Sequence, residues 1–139
     1  MLFETVSDAI KVLEELKMKS VRELEEDSTL LGAVLWHLYL AVQGCIDIAL
    51  KTISKLSLRT PESYADAFTV LSEEKLISKE LAKKLVAMAR FRHILAHVYT
   101  KLDLGRVYDI LHHNLENIKE FLKILAINLK ERKVEVSEI

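Results

Sequence analysis

Apolar residues recur every three or four positions through most of this 139-residue chain. The longest such run comprises Leu104, Tyr108, Leu111, Leu115, Ile118, Leu122, Leu125 and Leu129. This spacing places side chains on one face of an α-helix, and only three Gly and one Pro are present to interrupt helices. Half of the residues are hydrophobic, enough for one domain with a core of its own. The sequence therefore predicts an all-α fold, most economically an antiparallel bundle of four or five helices.

Helix-start signals suggest where the helices begin. Ser20 and Glu23 have the spacing of a capping box, and Thr60-Pro61-Glu62 combines a cap residue, a proline and an acid at a predicted helix start. Ser78 and Asp103 are predicted caps of the last two helices. The predicted helices span about 3–17, 20–27, 28–55, 61–71, 78–98 and from 103 onward. We expect one domain over residues 1–130 and a frayed, charged tail over 131–139.

The long helix after Ser28 is apolar nearly all round, although His37, Gln43 and Asp47 interrupt it. We expect a buried helix with no role in a membrane. Because one partner face cannot bury such a helix, we also predict a second subunit. Gln43 and Asp47 share a face, where they could line a cleft or equally hold an interface in register.

Trp36 and Tyr39 on this helix are predicted core or interface anchors. Cys45 is the single cysteine, so no intrachain disulfide can form, which is typical of a cytoplasmic protein. A thiol in apolar surroundings is poorly ionised. We therefore expect Cys45 to fill the core and take no part in chemistry.

Positive charge is concentrated in one part of the chain, although the net formal charge is −1. Residues 75–106 carry eight Lys or Arg against two acidic residues, whereas the rest carries twelve against nineteen. A solvated helix face would explain the lysines at 79, 83 and 84 equally well. A local excess of this kind can also attract a polyanion such as a nucleic acid.

The same region contains the string Arg92-His93-Ile94-Leu95-Ala96-His97-Val98-Tyr99. Arginine binds phosphate through a planar fork of donors, histidine transfers protons near neutral pH, and tyrosine adds a phenolic hydroxyl. These residue types suit a phosphodiester better than a carbonyl. The spacing of Asp103 after this Arg-x4-His-x-Tyr motif adds to its specificity.

This motif and its helical setting resemble the HEPN superfamily, specifically the HepT-like toxins of type VII-like toxin–antitoxin pairs. The resemblance covers about residues 1–130. It implies a dimerising, metal-independent endoribonuclease with Arg92 and His97 as catalytic residues and His93 in support. It also implies that a cognate minimal nucleotidyltransferase antitoxin silences the toxin by adenylylating Tyr99. RNA, with transfer RNA as one candidate, is the implied substrate, and no cofactor is expected.

Helix geometry constrains how the motif can act. At about 100° per residue, Arg92 and Tyr99 fall within about 20° of each other, whereas Arg92 and His97 lie about 140° apart. Either the helix frays near Ala96, or a two-fold dimer brings a second motif across a shared cleft. The resemblance favours the dimer.

The motif is open to two other interpretations. His93 and His97 could bind a metal, but no Glu follows His93 and no third ligand is evident, so we expect none. The protein could instead be a non-catalytic helical module that binds nucleotide or serves as an accessory subunit of the nucleotidyltransferase. In that case His97 would donate a hydrogen bond without transferring a proton.

Overall fold

The computed structural model describes residues 1–92, 95 and 104–139, and within these ranges the fold is a helical bundle without strands. This confirms the predicted all-α class. The α-helices are α1 (Leu2–Leu16), α2 (Val21–Glu26), α3 (Ser28–Lys55), α4 (Asp66–Glu73), α5 (Lys79–Arg90) and α6 (Leu104–Glu131), and a 3₁₀-helix spans Val136–Glu138.

The long helix α3 is the centre of the bundle. It packs against α1, α2, α4, α5 and α6, and twelve of its residues are buried. By length and composition α3 could cross a membrane, but its burial is that of a core helix, as predicted. Gly44 allows the close packing of α1, because a Cβ at this position would clash with Cγ2 of Val6.

The predicted caps of α2 and α5 are confirmed, and α3 has a cap that the sequence analysis did not predict. The backbone N–H of Glu23 donates to Ser20 Oγ over 3.1 Å, and the reciprocal bond completes the capping box. Asp27 caps α3 by accepting from the N–H groups of Thr29 and Leu30, each over 3.1 Å. Ser78 accepts from Leu81 N over 3.1 Å and so caps α5 as predicted. These bonds satisfy N–H groups that a helix start leaves without partners.

The predicted helix start at Pro61 is wrong, because α4 begins only at Asp66. The Asp66 carboxylate is held by Arg59 at 2.8 Å and accepts from the backbone N–H of Glu62 over 2.9 Å. Asp66 N in turn donates to Ser63 Oγ over 3.0 Å. These bonds give the backbone before Asp66 an alternative to helix, so residues 60–65 form a loop.

The prediction of one unbroken helix up to Val98 is also wrong. The helix α5 ends at Arg90, and a turn follows at Phe91. Arg92 and Leu95 are helical, and Leu95 N donates to Phe91 O over 3.2 Å. The predicted cap Asp103 lies outside the described residues. In α6, the apolar stripe is confirmed, since Leu111, Leu115, Ile118, Leu125 and Leu129 are buried.

The C-terminal residues pack on the bundle, in contrast to the expected frayed tail. Val134 and Ile139 are buried, and Glu138 forms an ion pair with Lys55 of α3 at 3.3 Å. The tail carries charge, but its few apolar residues are enough to attach it to the domain.

Candidate functional site

Arg92 is held against the middle of α3 by two polar side chains. Its Nε–H donates to Gln43 Oε1, across 49 residues of sequence. Gln43 Nε2 donates in turn to Asp47 Oδ1 over 2.8 Å. An ionised carboxylate only accepts hydrogen bonds, so Asp47 fixes the Gln43 amide with its oxygen facing Arg92. The two residues whose role the sequence left open therefore orient the arginine.

Tyr64 covers Arg92 from the loop before α4. The guanidinium carbon lies 5.1 Å from the centroid of the Tyr64 ring, a cation–π distance. Arg92 is thus held at Nε by Gln43 and on one face by an aromatic ring. Among the described residues, no acceptor is bound to its two terminal nitrogens. Their four N–H groups have the planar fork geometry that suits a phosphate.

A second arginine lies close to the start of the motif. The Arg106 guanidinium carbon is 4.8 Å from the ring centroid of Phe91, the residue before Arg92. Leu95 is 3% exposed and fixes the motif segment to the core. The turn at Phe91 lies between the end of α5 and this anchored segment. Because the helix is interrupted at Phe91, the angles expected for one regular helix do not apply to Arg92. Its side chain is positioned by its contacts with α3 and with Tyr64.

The structure places some of the predicted site residues and not others. Arg92 meets Gln43 and Asp47 in one cluster. His93, His97, Tyr99 and Asp103 lie outside the described residues, so their roles stay predictions. Sequence reasoning missed the contact of Tyr64 with Arg92, because nothing in a loop residue 28 positions away signals it.

Basic side chains of α5 line an open groove against α4. The groove has a volume of about 600 Å³ and includes Lys79, Lys83 and Arg90. Its acidic residue Glu73 is engaged by Arg59, with Nε to Oε1 at 2.8 Å. This ion pair holds the pKa of the Glu73 carboxyl below its usual value. The lining residues thus keep an excess of positive charge on the helix that leads into the motif.

Two other reactive side chains, Cys45 and His37, serve the packing and hydrogen bonding of α3. Cys45 is fully buried, and desolvation raises the pKa of its thiol far above the usual value, which confirms a core role. His37 Nδ1 lies 2.7 Å from Ala33 O on the same helix. In the part of the chain that the structure describes, no three His, Cys, Asp or Glu side chains form a potential metal site.

Trp36 is not a core residue, since it is 56% exposed. It stacks on Tyr39 with ring centroids 6.1 Å apart. The buried Val34, Ile46 and Ile48 are covered within the single chain, so they do not require the second subunit that the apolar character of α3 suggested. Trp36 is the large apolar side chain of α3 that is exposed in the single chain, and Tyr39 and Leu40 beside it are half-buried.

Comparisons of this chain with known proteins agree on one family. The model of the family described as ribonuclease HepT-like matches residues 6–125. The mRNA nuclease HepT of Shewanella oneidensis is 32% identical over 103 residues, which are 74% of this chain and 77% of that protein.

Solved structures agree with the sequence relatives. One is a tri-AMPylated Shewanella oneidensis HEPN toxin in complex with an MNT antitoxin, with a TM-score of 0.78, 29% identity, and 89% of this chain and 92% of that chain covered. Another is a toxin–antitoxin complex with AMP-PNP, with a TM-score of 0.80, 28% identity, and 89% and 93% covered. A match over most of both chains, at this identity, shows common descent of the whole domain. This chain therefore belongs to the ribonuclease HepT-like family of HEPN proteins.

Proposed function

We propose that this protein is a metal-independent endoribonuclease, the toxin of a toxin–antitoxin pair whose nucleotidyltransferase silences it by adenylylating Tyr99. The observation that carries the proposal is Arg92, which Gln43 holds at Nε and Tyr64 covers on one face, with no acceptor on its terminal nitrogens among the described residues. Family membership supports it, because relatives include an mRNA nuclease and a tri-AMPylated toxin bound to its antitoxin.

RNA supplies its own nucleophile for this reaction. A base removes the proton of a ribose 2′-hydroxyl, the 2′-oxygen attacks the adjacent phosphorus, and the bond to the 5′-oxygen breaks. An acid protonates that leaving oxygen, so the products are a 2′,3′-cyclic phosphate and a 5′-hydroxyl. Arg92 neutralises the charge that develops on the phosphate. We assign proton transfer to His97 and a supporting role to His93.

The cationic groove between α4 and α5 supports a polyanionic substrate. Lys79, Lys83 and Arg90 line it, and each phosphate that such side chains neutralise makes binding weaker as salt rises. The Shewanella relative is named for mRNA, so single-stranded RNA should be tested beside transfer RNA. Cleavage of an unpaired strand fits the general preference of proteins for unstacked nucleotides.

We further infer a homodimer in the cytoplasm, with the edge of α3 that begins at the exposed Trp36 at its interface. Trp36, Leu40, Gln43 and Asp47 follow one another at helical spacing along this edge. A second copy that covered Trp36 would bring the two Arg92 clusters close to one interface. Sedimentation should show a dimer for the wild type and a monomer for Trp36→Lys. A wild-type monomer would reject this part of the proposal.

Toxicity and cleavage test the function directly. Cells induced for wild-type protein should stop growing and accumulate new RNA ends, whereas cells induced for His97→Ala should do neither. Purified protein should cleave RNA in the presence of EDTA. Arg92→Lys should be strongly impaired, because a point charge does not replace a bidentate fork. Growth arrest without cleavage products, or the same outcome for His97→Ala and the wild type, would favour the non-catalytic accessory module.

The adenylylation of Tyr99 by the antitoxin needs a separate experiment. Incubation with the nucleotidyltransferase and labelled ATP should label the wild type, and Tyr99→Phe should take up no label while it still cleaves RNA. A bulky, charged adenylyl group beside Arg92 would occupy the phosphate position and explain the silencing. Label on Tyr99→Phe would move the acceptor to Tyr39, Tyr64 or Tyr108.

A further inference from the structure

A shallow pocket lies next to the Arg92 cluster, and nothing in the proposed chemistry uses it. Its volume is about 530 Å³, and its lining residues are Leu50, Thr60, Pro61, Glu62, Ser63 and Tyr64. Pockets for small ligands have volumes of roughly 300–1,000 Å³. Leu50 belongs to α3, and the other five residues belong to the loop that replaces the predicted start of α4. The pocket therefore exists because this segment is not helical.

Tyr64 joins the pocket to the phosphate-binding arginine. It lines the pocket and also lies 5.1 Å from the Arg92 guanidinium carbon. Although Arg92 covers part of the ring, Tyr64 is 53% exposed. An exposed tyrosine beside a phosphate-binding group is a stacking platform of the kind that holds unpaired bases.

The pocket wall combines apolar and hydrogen-bonding groups. Leu50 and Pro61 are half-buried apolar residues, and Glu62 is exposed. The backbone N–H of Glu62 is used by Asp66, but its carboxylate has no partner among the described residues. A carboxylate accepts hydrogen bonds and cannot donate them at neutral pH. It therefore favours a ligand that presents an N–H group over one that presents only carbonyl oxygens.

We propose that this pocket binds the base of an unpaired nucleotide next to the phosphate held by Arg92. The inference rests on the ribonuclease function proposed above. Tyr64 stacks on the base, Leu50 and Pro61 cover its apolar surface, and Glu62 accepts from its exocyclic amino group. Cytosine, adenine and guanine carry such a group, whereas the donor on the Watson–Crick edge of uracil is N3–H, which lies between two carbonyl oxygens that repel a carboxylate. The protein should consequently disfavour uracil at this one position.

The test uses a single-stranded RNA oligonucleotide with one mapped cleavage site. Copies of it carry an abasic residue at each position around that site in turn. Tyr64→Ala should lower kcat/KM on the intact oligonucleotide by between about 5- and 150-fold, the range for removing one stacked base. On the copy that lacks the base bound by Tyr64, Tyr64→Ala should lower kcat/KM by a much smaller factor, because only the contact of Tyr64 with Arg92 is then lost. Tyr64→Phe retains the ring and should recover most of the loss.

This design separates base stacking from a purely structural role of Tyr64. If Tyr64 only holds Arg92 in place, Tyr64→Ala lowers kcat/KM by the same factor on every copy of the oligonucleotide. That result would overturn the proposal that the pocket binds a base. Glu62→Gln, which does not touch Arg92, should bring cleavage with uracil at this position closer to cleavage with cytosine. An unchanged preference in Glu62→Gln would overturn the role of that carboxylate.

The inference can fail separately from the nuclease function. If the wild type cleaves no RNA, binding of the labelled oligonucleotide is measured by fluorescence anisotropy. Weaker binding by Tyr64→Ala, with a smaller loss on the oligonucleotide that lacks the base, would support the pocket in a protein that is not a nuclease. Equal binding by Tyr64→Ala and the wild type, or no binding by either, would overturn the pocket.

Discussion

Gln43 offers the sharpest test of how the fold prepares Arg92. Gln43→Leu has a similar volume but removes the acceptor of the Arg92 Nε–H bond and leaves the guanidinium held by Tyr64 alone. A hydrogen bond to a charged group contributes about 1.5–3 kcal/mol. Both side chains are half-buried, so water replaces part of the bond, and we take about 1.5–2 kcal/mol. At 1.36 kcal/mol per factor of ten, kcat/KM should fall by about 10- to 30-fold.

The assay is cleavage of the single-stranded oligonucleotide under single-turnover conditions, with thermal unfolding measured in parallel. The matched control is Asn117→Leu, which also replaces a half-buried amide side chain by leucine, but on α6 and not on α3. It should keep wild-type cleavage. Asp47→Asn should cause a smaller loss, because the Gln43 amide can then turn its NH₂ group toward Arg92. Full activity in Gln43→Leu would refute the argument that Gln43 orients Arg92. A large drop in its unfolding temperature would mean that the change acts through the fold.

Three predictions concern the fold itself. Gly44→Ala should lower the free energy of unfolding by about 1–3 kcal/mol, because its Cβ meets Val6; an unchanged urea midpoint would contradict the tight α1–α3 contact. Arg59 holds the pKa of the Asp66 carboxyl in the folded protein below its usual value. The ion pair therefore stabilises the fold fully when the pH is above the pKa of Asp66 in the unfolded chain, and this stabilisation is lost as the pH falls through the pKa of Asp66 in the folded protein. Arg59→Leu should therefore be less stable than the wild type at pH 7, and the difference should shrink in acid; a pH-independent difference would exclude this ion pair as its cause. Cys45 should react with a thiol reagent only after unfolding, because it is fully buried, and rapid reaction of native protein would show that α3 is accessible.

The helices were predictable where local chemistry decides them. The capping box at Ser20 and the cap at Ser78 act within four residues of chain, and the apolar spacing of α6 matches its buried side chains. The family followed from a short motif and its helical context. Each of these signals is contained in a window of sequence, so no knowledge of the tertiary structure was needed to find them.

The candidate site was only partly predictable. The residue type and the motif predict Arg92 as a phosphate ligand. The side chains that orient it, Gln43, Asp47 and Tyr64, lie far away in sequence. No periodicity links these positions. Gln43 and Asp47 could be noticed as polar residues in an apolar helix, yet their spacing fits a cleft and an interface equally well.

The amino-acid sequence alone determined the helical class, the long core helix and the chemistry of the motif, because side-chain spacing, capping and residue type are local properties. Tertiary structure decided where α4 begins, where α5 ends, and which side chains contact Arg92. Arg59 illustrates the reason, because it binds Asp66 seven residues away and Glu73 fourteen residues away and so stabilises a loop where the local signals favoured a helix. Long-range contacts of this kind form only when the bundle packs, and they override a weak local preference because each preference is worth only about 1 kcal/mol.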